Sequence, residues 1–108
     1  MLDQTLTALA DPTRRRIIER LAVGSATVSE IVEHFELAQP TISSHLKVLE
    51  QAGLISRSRS AQTRPCRLEP EGLQALGLWI GELQTIYQQN YARLDNVLEK
   101  LKTETLEE

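Results

Sequence analysis

The stretch Ala38-Gln39-Pro40-Thr41-Ile42-Ser43-Ser44-His45-Leu46-Lys47-Val48-Leu49 decides how the chain is read. Ile42, Leu46 and Leu49 are spaced i, i+4, i+7, the period of one inward helix face. Pro40 has no N–H and fits only a helix's first turn, so a helix opens there. Gly53 closes it. Just before it, Ile31, Val32 and Phe35 mark the inward side of a short helix running to about Glu36. Thr27 and Glu30 form a capping box at its start. Two short helices joined by about three residues, the second opened by a proline, match a helix-turn-helix.

On the second helix, Ser43, Ser44, Lys47 and Pro40 face away from the core, with Gln39, Thr41 and His45 on the flanks. Small hydroxyl residues let a helix sit deep in a major groove. Gln39 and His45 have the reach and donor/acceptor pattern to read base edges. Base contact is therefore expected from Gln39, Thr41, Ser43, Ser44 and His45. A half-buried packing role for His45 stays open, as does an inconsequential exposed face for the two serines. Lys47, a flexible point charge, suits phosphate better than bases.

Outward from this core, Leu2, Leu6 and Leu9 read as a short helix with one apolar stripe. Asp11-Pro12 then starts another, with Asp11 as N-cap and Pro12 at its first position. Ile17, Ile18, Leu21 and Ala22 give that helix its buried face, and Gly24 ends it as a residue that tolerates positive φ. Arg14, Arg15 and Arg16 place positive charge in the first turn, against the helix dipole. An Arg15–Glu19 pair at i, i+4 would compensate, and phosphate contact is the alternative.

After Gly53 the period changes. Leu54 to Arg59 alternates enough for a strand, and Pro65 to Leu68 can return beside it around a tip at 61–64. This is a basic wing, with Arg57, Arg59, Arg64 and Arg67 as candidate DNA-backbone contacts. A solvated edge strand kept soluble by charge is the competing view. Glu69-Pro70-Glu71-Gly72 then punctuates the chain. Leu73, Leu76, Ile80, Leu83, Tyr87, Leu94, Val97 and Leu101 follow a 3-4 alternation interrupted at Asn90, so the remainder is one long helix. It outruns its own core and wants a partner helix. Leu2, Leu6, Leu9, Leu76, Ile80, Leu83, Tyr87 and Leu94 are expected at a dimer interface. The fold class is mainly α with a small β-hairpin: one winged helix-turn-helix domain over 1–108. Dimerisation helices fall at 1–10 and 72–104, the helix-turn-helix at 27–53 and the wing at 54–68.

Composition agrees. The chain has 108 residues, 41% hydrophobic and 25% charged, a globular balance that excludes disorder. Only four residues are aromatic, so a monomeric core would be thin and oligomerisation is expected. The formal charge of −3 argues against a generic nucleic-acid binder, but its distribution reverses that. Residues 39–67 hold five basic residues against one acid, and residues 69–108 hold three against eight. One face suited to phosphate and another not is the pattern implied. No apolar run approaches the roughly 18 residues of a membrane span. Met1-Leu2-Asp3-Gln4 has neither the basic start nor the apolar stretch of a signal peptide, so a cytoplasmic protein with no membrane partner is expected.

Taken together, Leu9-Ala10-Asp11-Pro12-Thr13-Arg14-Arg15-Arg16-Ile17-Ile18, the 38–49 stretch and Gly53-Leu54-Ile55 resemble the ArsR-type winged helix-turn-helix repressors over nearly the whole chain. The resemblance implies a homodimer paired through its first and last helices, binding double-stranded operator DNA and releasing it to an inducer, here an unknown small molecule. A sequence-specific repressor at an imperfect inverted repeat is expected. A winged-helix protein–protein module is the alternative, which the basic segment opposes. Metal-sensing members carry cysteines before the turn or Asp/His ligands on the last helix. Here Val28-Ser29-Glu30-Ile31-Val32-Glu33 has no cysteine and the tail no histidine. His34 with Glu30 and Glu33 reads as a solvated face, so no metal and no cofactor is expected. Cys66, the one cysteine, reads as a small inert hydrophobe on the wing, oxidation being the other option. The family often has Ser where Ala38 stands, which caps poorly. No catalytic constellation is present, and the chain is not expected to be an enzyme.

Overall fold

A computed structural model describes residues 2–58 and 63–107, with side chains to Lys102. Its elements are α1 (Leu2–Leu9), α2 (Pro12–Val23), α3 (Val28–Phe35), α4 (Gln39–Gln51), β1 (Ile55–Arg57), β2 (Cys66–Leu68) and α5 (Pro70–Glu107). They divide into two compact units, Met1–Leu76 and Gly77–Glu108.

In the first unit, local chemistry sets most boundaries. The Asp11 carboxylate accepts from the backbone N–H of Thr13 (2.8 Å) and Arg14 (3.2 Å), capping α2 with Pro12 behind it. The Thr27 hydroxyl and Glu30 complete the reciprocal box on α3. Glu36, in the left-handed region at φ 55°, ends that helix by donating its N–H to the Val32 carbonyl. The close of α4 is a Schellman motif: Gly53, at φ 75°, donates to Glu50 O and Leu54 to Leu49 O. Leu49 and Leu54, both fully buried, make the apolar contact that accompanies it.

Two expectations on α2 are corrected. Gly24 follows the helix in extended backbone, φ 163°, rather than left-handed. Ala22 is exposed, because it lies in the last turn beside Val23, which is itself 87% exposed. The buried face is Ile17, Ile18 and Leu21 alone. On α1 the most buried residues are Thr5 and Ala8; Leu2 and Leu9 are half-buried and Leu6 is exposed.

β1 and β2 pair antiparallel, with Ile55 opposite Leu68, Ser56 opposite Arg67 and Arg57 opposite Cys66. The strands are shorter than the alternation suggests. On its other side Cys66 bridges Ala26, exchanging N–H···O bonds of 3.1 and 2.7 Å. Ala26, in the link between α2 and α3, thus ties the hairpin to the helical core. Ile17, Ile31, Ile42, Leu46, Leu49, Leu54 and Cys66 form the fully buried centre.

Among its described residues the second unit is helix alone, with no buried side chain. Ile80, Leu83, Tyr87, Leu94, Val97 and Leu101 are all exposed, and Tyr87 stacks on Tyr91 with ring centroids 6.2 Å apart.

Candidate nucleic-acid interface

α4 buries Ile42, Leu46 and Leu49 completely and turns its opposite side outward. Gln39, Pro40, Thr41, Ser44 and Lys47 are exposed, and Ser43 and His45 are half-buried. Six small or polar positions and one cation thus share a continuous surface above an apolar stripe. Ala38 takes the extended N-cap conformation but offers no side-chain hydrogen bond. The N–H groups of Gln39 and Thr41 have no acceptor within the helix, and Pro40 has none to satisfy. That end of the helix is electropositive and uncapped, suited to an anion.

The arginines of α2 have an architectural task the sequence did not disclose. Arg15 Nη1 donates to Leu9 O (2.7 Å) and Ala10 O (3.2 Å) instead of pairing with Glu19. Arg14 Nε donates to Ala8 O at 2.6 Å and Nη2 to Thr7 O at 3.3 Å. The carbonyl end of α1 carries partial negative charge, so it is the partner that makes cations tolerable at the start of α2. The third Arg14 nitrogen, Nη1, reaches His45 Nδ1 on α4 at 3.3 Å. Arg16 lies over the Phe35 ring, 5.1 Å from its centroid.

On the hairpin, Arg64 is exposed at φ 44°, whereas Arg59 and part of the expected tip lie outside the described residues. Arg67 is largely exposed and pairs with Glu69 at 3.2 Å. The Glu69 carboxylate also accepts from the Ser56 hydroxyl at 2.6 Å; that bond and then Arg67 hold its pKa below the usual value. Arg57 is half-buried, its Nε enclosed without a hydrogen-bond partner. Burial pushes the Cys66 thiol up, with the neighbouring Arg57 guanidinium opposing. A buried thiol held protonated is a poor nucleophile.

Of the expected dimer residues in the first unit, Leu6 is exposed and Leu2, Leu9 and Leu76 are half-buried. Within the second, Ile80, Leu83, Tyr87 and Leu94 are 42–69% exposed. Trp79, Ile86, Tyr91 and Leu98 widen that apolar face. The repeat did not single them out; their apolar side chains at positions flanking it are the signal that would have found them. Among the described residues no three histidine, cysteine or carboxylate side chains gather as a metal site, and no helix is long and apolar enough to cross a membrane.

A helix-turn-helix with an exposed polar second helix, followed by a basic two-stranded hairpin, defines the winged-helix class of DNA-binding domains. Residues 11–57 match the model of the bacterial regulatory protein, arsR family. HTH-type transcriptional regulator Rv2034 of Mycobacterium tuberculosis is 39% identical over 85% of this chain and 86% of its own. Transcriptional repressor SdpR of Bacillus subtilis is 43% identical over 56% and 68%. A crystallised ArsR family transcriptional regulator superposes with a TM-score of 0.74 at 38% identity, over 81% of this chain and 96% of that one. A possible ArsR-family regulator from Mycobacterium bovis, described as a homodimeric winged helix-turn-helix DNA-binding domain, shares the fold. Its TM-score is 0.63 at 23% identity, over 81% of this chain and 78% of that one. The chain belongs to the ArsR family of winged helix-turn-helix transcriptional regulators. Its class is DNA-binding transcriptional repression, not catalysis, and membership favours that reading over a protein–protein module.

Proposed function

We propose that the chain is a dimeric, metal-independent repressor that binds an imperfect inverted-repeat operator in double-stranded DNA. Residues 27–53 form the reading module and 54–68 the wing, and segments 1–10 and 72–104 pair two copies. α4 enters the major groove. Gln39, Thr41, Ser43, Ser44 and His45 meet base edges, and Lys47, Arg59, Arg64 and Arg67 meet the backbone. Arg57, with its Nε enclosed, contributes least. The observation that carries this reading is the exposed polar face of α4 over the sealed Ile42/Leu46/Leu49 stripe. Homodimerisation is supported by the exposed apolar face of Ile80–Leu101 and by the homodimeric neighbour. Metal independence is supported by Val28-Ser29-Glu30-Ile31-Val32-Glu33, which lacks the cysteines of metal-sensing relatives, and by the burial of Cys66. The inducer in this reading is an unknown small molecule, as the family resemblance implies.

Selection from a random duplex library with the purified chain tests the proposal. The expected product is a two-fold sequence whose half-site centres lie about 10 bp or a multiple apart. Affinity falls steeply with salt, because each Lys or Arg on phosphate releases a counterion, and is unchanged by zinc or a chelator. A flat salt profile, or equal affinity for scrambled duplex, overturns it.

A further inference from the structure

We infer that Arg14 is a positioning residue for base recognition: by donating to His45 Nδ1 it holds the imidazole as the Nε2–H tautomer and makes His45 a donor-only reader of major-groove acceptors. The inference rests on the reading of α4 as the groove helix. Arg14 is 31 residues from His45 in sequence, and its guanidinium is fixed before it arrives there. Nε is anchored on Ala8 O and Nη2 on Thr7 O, while the Arg14 backbone N–H is held by the Asp11 carboxylate. The remaining nitrogen faces Nδ1 at 3.3 Å.

A guanidinium has five N–H donors and no acceptor. Nδ1 must therefore offer its lone pair, and a proton there would face another N–H. In the neutral ring the proton then resides on Nε2. His45, half-buried on the flank of α4, keeps one polar group for a ligand, and that group donates. Purine N7, guanine O6 and thymine O4 accept such a bond. Cytosine N4 and adenine N6 present only hydrogens and do not. An unbraced imidazole can switch tautomers and satisfy either kind of edge. Arg14 thus supplies discrimination at a base it does not touch, and links the carbonyl end of α1 to the base-reading surface.

The test compares base preference, position by position, for the full chain, Arg14→Met, His45→Ala and the double variant, using the selected duplexes. Arg14→Met is expected to lower the preference for an acceptor base by about tenfold, the order a single base contact supplies. The affected position is the one at which His45→Ala abolishes preference, and the salt slope stays unchanged. In the His45→Ala background Arg14→Met changes no position further. Uniform weakening at all positions, or an intact preference at the His45 position, overturns the inference. Because Arg14 also braces α1, the ring is read independently in the unaltered, DNA-free chain by imidazole nitrogen-15 NMR. The expected spectrum has Nδ1 unprotonated and accepting; a protonated Nδ1 overturns the inference even when the chain binds DNA. A wild-type chain with no sequence preference overturns the α4 reading and with it the base-reading role. An accepting Nδ1 in that same chain distinguishes this failure from one in the Arg14 brace.

Discussion

Gly72, in the first turn of α5, packs so tightly on Gly53 that a Cβ at position 72 would overlap the Gly53 carbonyl. The other atoms it would meet, Gly53 C and Leu54 Cα, are also backbone, so no side chain can swing aside to admit it. The contact presses the start of α5 onto the Schellman turn that ends α4. Gly72→Ala is expected to destabilise the fold by about 1–3 kcal/mol, the cost of overpacking, less a part returned by helix propensity. Gly24→Ala is the control. That position is open and its backbone extended, so the change should stay within about 0.5 kcal/mol. Urea denaturation of both variants checks the pair, and equal stabilities would mean the α5 start does not seat against Gly53.

Features encoded within one turn of chain were legible from sequence. Asp11-Pro12, Thr27 with Glu30, and Gly53 each announce a boundary because the groups involved lie within a few residues of one another. Ile42, Leu46 and Leu49 oriented α4 for the same reason, and with it the exposed Gln39–Lys47 surface. What stayed hidden depends on partners distant in sequence or on tertiary surroundings. Arg14 and Arg15 looked like misplaced charge because their acceptors are the carbonyls of another helix. The bridge made by Ala26 had no local signal because its partner, Cys66, is forty residues away. Ala22 carried the right period, but a helix face is buried only where another element covers it.

Ala38 leaves α4 without a side-chain cap. Its extended backbone is already that of an N-cap, so a hydroxyl there needs no rearrangement to accept from the Thr41 N–H at the third position of the helix, Pro40 at the second having none. Ala38→Ser is expected to raise stability by about 1 kcal/mol, read as a higher denaturation midpoint with an unchanged slope. No gain in midpoint would mean that this end of α4 already has its donors satisfied by another route.

Two carboxylates make stability depend on acid pH. Asp11 is lowered first by the Arg14 backbone N–H and further by that of Thr13, and Glu69 by the Ser56 hydroxyl and then Arg67. Each titrates at a lower pH folded than unfolded, so on acidification the unfolded chain takes up protons first. Their stabilisation is complete above the unfolded carboxylate values, near pH 4, and is lost as pH falls through the depressed folded values. Thermal melts from pH 7 to pH 3 are expected to show a falling midpoint that flattens in an Asp11→Asn, Glu69→Gln double variant, whose amides still accept without titrating. An identical acid slope in the double variant would place the sensitivity elsewhere.

Asn90 interrupts the apolar 3-4 repeat of the second unit, between Tyr87 and Leu94. An amide within a helix seam costs affinity but penalises pairings that leave it facing hydrocarbon, and so restricts register. Its neighbours Leu83 and Leu94 carry the opposite burden, since their exposed side chains are what a second copy would cover. Leu83→Asp is expected to weaken self-association by about 3 kcal/mol, because a carboxylate would be desolvated without a partner, roughly a hundredfold in Kd. Asn90→Leu is expected to tighten association while broadening the distribution of species, as the register constraint is removed. Sedimentation velocity over a dilution series reads both. A Leu83→Asp chain that sediments as the wild type removes this face from the dimer. An Asn90→Leu chain that associates more weakly, as one species, makes Asn90 a direct pairing contact.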